Sequence, residues 1–268
     1  MSTEVTPARA SLQQAIGALP YRLQMAGGWI DQPFVSEANP EPPGSMVVVS
    51  MRPTVRYMER AGMATGTRRV AQRLWGDEIP GDRPPDELVR ELYRAENEGL
   101  DDPSGSQDMC GLIYPGISRL DYDASVEGGW FPTEVESIRD PEVVAWIERV
   151  VHLVPLGGRP DGYDPLETKN LDPAWVARLG RSGRDCFDAI VAMDVEALGA
   201  SLDETALAWR AILPAIYEHA TITTDLWGLL EGYMRAYPGA MTSGCGGGYV
   251  IVASEDPPAG SARIAVRA

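Results

Sequence analysis

Two glycines and two threonine hydroxyls fall within six residues in Gly62-Met-Ala-Thr-Gly-Thr67, and a helical pattern follows at once. Val70 with Leu74, and Ala71 with Trp75, repeat at i,i+4 as one apolar stripe before a Gly76-Asp77 stop. A small-residue loop opening a helix gathers unpaired backbone N–H groups at the positive end of the helix dipole, which is chemistry suited to phosphate. Upstream, Gly27-Gly28 ends an alternating stretch in a tight turn that presents Trp29 and Asp31. Downstream, a Gly/Ser turn at 101–111 carries Asp108 into an apolar segment. Taken singly, each feature has a plainer reading. Asp31 and Asp108 suit turn or cap positions, Arg22 a surface ion pair, and Glu96 a solvated helix charge.

Other chemistries are poorly supplied. The three cysteines, Cys110, Cys186 and Cys245, are odd in number and far apart, so neither a disulfide framework nor a zinc site follows from them. With only His152 and His219, histidine metal sites and a serine–histidine relay lack parts. No Gly-Lys-(Ser/Thr) loop, Gly-x-Gly-x-x-Gly turn or Gly-x-Ser-x-Gly elbow occurs. Cys245 sits among glycines with no base nearby in sequence and reads as a small filler. Asp121 and Asp123 match nucleotide-sugar metal motifs by coincidence, within an alternating stretch.

Net charge is −16, from 23 Lys+Arg against 39 Asp+Glu spread along the chain, which argues against a nucleic-acid or anionic-membrane surface. Any phosphate site must therefore rely on backbone amides, helix ends, a few arginines or a bound cation. The start of the chain lacks an apolar signal core and no run reaches membrane-spanning length, so a cytoplasmic protein is expected.

The elements that must position these groups read as α+β. Strands are expected at 21–25, 46–51, 118–123 and 152–156, then after the glycines at 244–248, with a last one at 263–266. Helices are expected at 12–19, in a short stretch after the 62–67 loop up to Trp75, from Pro84-Pro85 to about Glu96, and at 141–150. The second half is mostly helical, at 173–179, 184–193, 195–202, 205–217 and 224–236. Two lobes meet near Val150, dividing the chain into 1–150 and 151–268.

In order along the chain, four segments resemble the GHMP superfamily of small-molecule kinases, most of all its fucose- and heptose-kinase branch. Tyr21-Arg22 through Gly27-Gly-Trp-Ile-Asp31-Gln-Pro33 resembles the first motif. Gly105-Ser-Gln-Asp108 resembles the segment with the catalytic aspartate, and Glu96 lies nine residues before Gly105, as the magnesium-binding glutamate does. Pro238-Gly-Ala-Met-Thr-Ser-Gly-Cys-Gly-Gly-Gly-Tyr249 resembles the glycine-rich third motif. The resemblance implies a two-lobed GHMP-kinase-like fold with a reduced N-terminal lobe and a helix-rich C-terminal lobe. It implies ATP and Mg²⁺ as cofactors and phosphate transfer to a hydroxyl of a sugar or sugar phosphate.

The roles it implies are Asp108 and Arg22 as catalytic residues, with Glu96 and Thr67 holding the metal. Gly28, Trp29, Asp31, Gly246 and Gly247 would contact a small-molecule sugar. Gly62, Ala64, Thr65, Gly66, Thr67 and Arg68 would surround the nucleotide phosphates. The phosphate loop departs from the family pattern Gly-Leu-Gly-Ser-Ser. Met63 replaces Leu, Ala64 the second Gly and Thr65 the first Ser, while Gly66 stands where the second Ser would be. Thr67 supplies a hydroxyl one position on, and the interval from Asp31 to Gly62 is short. The alternative expectation is a catalytically degenerate GHMP-fold protein that binds a small molecule or protein partner without phosphoryl transfer.

Overall fold

Tyr21–Gln24 (β1) and Gly44–Met51 (β2) pair antiparallel, Tyr21 opposite Met51 and Gln24 opposite Val48. In this computed structural model, which describes residues 16–268, every residue of both strands is buried. Of the helix expected at 12–19, residues 12–15 lie outside the described residues and 17–19 are not helical. Ile117–Tyr122 (β3) pairs with β2, and Glu134–Ile138 (β4) closes the first sheet in the order β1-β2-β3-β4. A continuous apolar run such as Met46-Val-Val-Val49 is what a strand covered on both faces requires.

The short helix Pro33–Ser36 (α1) follows the first motif, and Thr65–Trp75 (α2), Pro85–Asn97 (α3) and Gln107–Ile113 (α4) follow β2. Pro141–Val150 (α5) leads directly into Val151–Gly157 (β5). Next come Pro173–Ala192 (α6), Val195–Ile212 (α7), the short Ala215–Glu218 (α8) and Leu226–Ala236 (α9). Gly239–Gly244 (β6), Gly247–Ala253 (β7) and Ala262–Arg263 (β8) complete a second antiparallel sheet ordered β6-β7-β5-β8. The mixed fold is the one expected.

The four longest helices outside the site start alike. Asp140, Asp172, Asp194 and Asp225 each accept from first-turn amides of α5, α6, α7 and α9, and a proline at the first position sets the backbone of α5 and α6. No side chain caps α2. Its cap residue is Ala64, in the left-handed conformation at φ 52° and ψ 34°.

Each sheet comes from one half of the chain, yet the halves interlock. Helix α6 packs on β2 of the first sheet, and Val266 bridges to Met51. The sequence divides 173–193 and 195–217 into four helices, whereas the structure has two long ones and α8. The apparent break at Gly180-Arg-Ser-Gly183 is a packing device. A Cβ at Gly183 would overlap the Ser45 backbone, and one at Gly180 would lie 3.0 Å from Gly44 Cα. Glycine there serves close approach to β2 and does not end the helix.

Candidate active site

Arg22 on β1 forms an ion pair through Nη2 with Oδ1 of Asp108, which sits in the first turn of α4. The same guanidinium donates from Nη1 to the Gly62 carbonyl at 3.3 Å. The arginine side chain is 6% exposed and the aspartate 28%, so the pair has a buried end and an open one, with Asp108 at the opening. Burial lowers the Arg22 pKa to about 10, with Asp31 and Glu96 acting against the fall and Arg159 adding to it. It remains a cation at neutral pH.

Thr67, in the first turn of α2, links two carboxylates. Its hydroxyl lies 2.9 Å from Glu96 Oε1 and 3.3 Å from Asp108 Oδ2. One hydroxyl proton cannot satisfy both acceptors at once. The other Glu96 oxygen, Oε2, is buried with no hydrogen-bond partner. Burial raises the Glu96 pKa, with the Thr67 bond and the charges of Arg22 and Arg73 opposing it. Two carboxylates sharing one hydroxyl, with a further oxygen unmet, fit a hard divalent cation. No group of three or more His, Cys, Asp or Glu side chains forms a protein-only cage among the described residues. The donors present therefore fit Mg²⁺, which takes one or two carboxylates and fills its shell with water and phosphate oxygens.

Asp31, whose charge acts on Arg22, is fully buried. The Gln107 backbone N–H donates to it at 3.3 Å and Gln107 Nε2 at 3.1 Å. Burial raises its pKa to about 6, the bonds from Gln107 and the Arg22 charge offsetting part of the rise. Two glycines in this part of the chain allow the approach. A Cβ at Gly105 would overlap the Asp31 carboxylate, and one at Gly111 would overlap the Arg22 side chain.

Trp29 adopts φ 79°, rare for a bulky residue, and its Nε1–H donates to Cys245 Sγ at 3.3 Å. Backbone strain of this kind costs on the order of 1–3 kcal/mol and persists where surroundings hold it. Trp209 Nε1–H donates to the Gly28 carbonyl at 2.9 Å and helps hold the Gly27-Gly28 turn. Burial pushes the Cys245 thiol up, consistent with a packing role and not a thiolate nucleophile.

The glycine-rich turn between β6 and β7 lies directly on the loop before α2. A Cβ on Gly62 would overlap the Ser243 carbonyl, and Ser243 Oγ donates to the Ala61 carbonyl at 2.8 Å. Gly246 and Gly247 line a cavity of about 250 Å³ together with Gly157, Gly158 and Thr221.

The structure thus brings Arg22, Thr67, Glu96 and Asp108 into one linked cluster, with Asp31 beside it and Gly62 against it. Thr65 and Gly66 lie with Thr67 in the first turn of α2, and Gly66 stands exposed over open space. Arg68 departs from its expected place beside phosphate. Its guanidinium donates to the carbonyls of Leu19 and Ile16 and stacks over the Tyr21 ring at 4.4 Å. Its donors thus pin the segment before β1, and the nucleotide-phosphate role does not follow from its position. Among the site's neighbours, Gln107 was visible inside the Gly105–Asp108 motif, whereas Arg159 and Tyr163 carry no sequence signal.

No family model matches the sequence, and no curated protein does. Solved structures do. A D-glycero-D-manno-heptose 1-phosphate kinase from Bacteroides thetaiotaomicron superposes with TM-score 0.54 at 13% identity, over 89% of this chain and 88% of that one. The chain has the GHMP-kinase fold. Mevalonate diphosphate decarboxylase from Staphylococcus aureus gives TM-score 0.54 at 10% identity, over 90% and 89% of the two chains. L. major mevalonate kinase, solved with R-mevalonate, gives 0.53 at 11%, over 90% and 87%. At these identities the likeness speaks for the fold, which hosts a decarboxylase as well as kinases, and the reaction has to be argued from the site. No described helix is long and apolar enough to cross a membrane.

Proposed function

We propose that the protein is an ATP-dependent kinase that transfers the γ-phosphate to a hydroxyl of a sugar or sugar phosphate. The observation that carries this reading is the linked set Arg22–Asp108–Thr67–Glu96, drawn from four separate segments and placed at the uncapped start of α2. Phosphoryl transfer asks the protein mainly to position groups and neutralise charge, and each of these has such a task.

Asp108, at the open end of the ion pair, would accept or orient the proton of the attacking hydroxyl. Arg22 would hold Asp108 in place and offset charge on the phosphoryl group. Backbone amides of 64–67 would receive phosphate oxygens at the positive end of α2. Bound Mg²⁺ would neutralise the phosphates, and Glu96 with Thr67 would hold it. Asp31, buried but acceptor-rich, would take hydrogen bonds from a polyol. A binder without chemistry would have no use for the buried unmet oxygen of Glu96 or for the two carboxylates around Thr67.

The test is turnover of ATP against a panel of aldoses, deoxysugars and their phosphates, followed by phosphorus NMR. A new phosphomonoester with stoichiometric ADP is the expected result. ADP release that no acceptor stimulates would overturn the reading.

A further inference from the structure

Beside Arg22 and the start of α2 stands another cation that the proposed reaction has not used. Arg159 follows β5, and its backbone N–H donates to the Arg60 carbonyl at 3.3 Å, which ties it to the stretch before the phosphate loop. A Cβ built on Gly244 would lie 2.9 Å from Gly62 Cα and 3.5 Å from Arg159 Nη2. The guanidinium therefore stands where the glycine-rich turn meets the loop.

Among the described residues its side chain has an unmet donor. Arg159 Nε is buried without a hydrogen-bond partner. The acid nearest in sequence, Asp161, pairs instead with Arg60 at 2.8 Å, and no ion pair of Arg159 occurs among the described residues. Tyr163, four residues on, has a buried hydroxyl that is also unpartnered, and its ring lies 5.9 Å from Arg159 Cζ. That ring packs against Gly246 of the same turn. Arg22, 5% exposed, has a buried and unmet Nε as well. Burial most, and the Arg159 charge in addition, depress the Arg22 pKa, so the two guanidinium groups feel each other.

Arg22 directs its Nη groups to Asp108 and the Gly62 carbonyl, yet its Nε and that of Arg159 stay buried and unmet beside a like charge, a cost that an anion reaching both would remove. A phosphate-type oxyanion presents several acceptor oxygens in the geometry that guanidinium forks match. We propose that Arg159, together with Arg22, holds a phosphate-type oxyanion between the 60–64 loop and the β6–β7 turn, with Tyr163 donating to the same group. Identifying that oxyanion with a phosphoryl group rests on the kinase reading. Its two sources are the terminal phosphate of the nucleotide and a phosphate carried by the acceptor.

Calorimetric titrations of the wild type, Arg159→Gln and Arg159→Lys separate these. The probes are MgADP, the Mg²⁺ complex of the β,γ-imido analogue of ATP, and inorganic phosphate with and without saturating analogue. Arg159→Gln is expected to weaken one probe by about tenfold to a hundredfold, with Arg159→Lys recovering part of the loss. Loss for the analogue but not for MgADP assigns the terminal phosphate. Loss for inorganic phosphate in the presence of analogue assigns the acceptor. The ligand-free unfolding midpoint should not fall, because among the described residues the side chain has no hydrogen bond or ion pair to lose and its removal relieves the like charge facing Arg22. Equal affinities for every probe in wild type and Arg159→Gln would overturn the inference and leave the kinase reading standing. So would a loss that merely follows a fall in the ligand-free midpoint. Phosphate binding that Arg159→Gln abolishes, in a protein that binds no nucleotide, would sink the kinase reading and keep Arg159 as an anion ligand. A wild type that binds none of the probes would overturn both.

Discussion

Asp108→Asn is expected to lower kcat by about 10²- to 10⁴-fold while leaving the affinity for MgADP within about threefold of wild type. The substitution keeps the shape at the open end of the ion pair and removes the carboxylate that would accept the hydroxyl proton. Arg22 then loses its partner, and stranding a buried charge costs about 3–5 kcal/mol in the extreme case. Two features soften that cost. Asp108 is 28% exposed, and the negative charges of Asp31 and Glu96 still face Arg22. A modest fall in the unfolding midpoint should therefore accompany the large fall in kcat. Steady-state kinetics with the acceptor found in the panel, and thermal unfolding of both proteins, supply the check. Near-normal kcat in a folded variant would remove Asp108 from the chemistry.

Asp31→Asn should do the opposite to stability. Burial raises this carboxyl from 3.8 to about 6, so at neutral pH the folded protein carries an ionised group that its surroundings disfavour. That difference corresponds to about 3 kcal/mol opposing folding at pH 7. The sign follows from proton counting. Between about pH 4 and 6 the folded state holds a proton on Asp31 that the unfolded state has released. The residue's contribution to stability is therefore full below the unfolded pKa and falls as pH rises through about 6. Asparagine keeps an acceptor for one Gln107 donor, loses the one for the other and brings amide donors of its own, so the net gain at pH 7 should be small, about 1 kcal/mol or less. Acceptor KM should rise by about tenfold or more, because a carboxylate that takes hydrogen bonds from a polyol becomes a weaker, one-sided acceptor. Denaturant unfolding of both proteins from pH 4 to 8 checks the first claim, and KM the second. A variant less stable than wild type at pH 7, with unchanged KM, would show that Asp31 is a structural carboxylate.

What the sequence made legible follows from how local each signal was. The tight Gly27-Gly28 turn, the Gly105–Asp108 segment and the glycine run at 244–248 each need particular backbone shapes or close approaches. Their residue types therefore betray them. The buried β2 strand and the proline-started helices at 141 and 173 were readable for the same reason. Gly180 and Gly183 misled because a glycine that admits a neighbouring strand looks, in one dimension, like a helix break. The pairing of Glu134–Ile138 with β3 was missed because its alternating charges suit an edge strand whose polar face no local pattern distinguishes from loop.

Arg68 and Arg159 exchange places for a related reason. Arg68 is adjacent in sequence to the phosphate loop, but helix geometry turns it toward Leu19 and Tyr21. Arg159 reaches Gly62 only because β5 and β7 pair and carry the segment after β5 to the glycine turn. Long-range pairing of that kind leaves no trace in local composition.

The central claim is that a nucleotide's phosphates and Mg²⁺ gather at Thr67 and Glu96, beside the catalytic Asp108. Calorimetric titration of ATP into the wild type and Glu96→Gln, with Mg²⁺ and again with EDTA, tests it most directly. The account expects saturable binding that needs Mg²⁺ and weakens about tenfold or more in Glu96→Gln, a variant in which the buried unmet oxygen is no longer charged. Absence of binding at millimolar MgATP, or binding indifferent to both Mg²⁺ and Glu96, would contradict it.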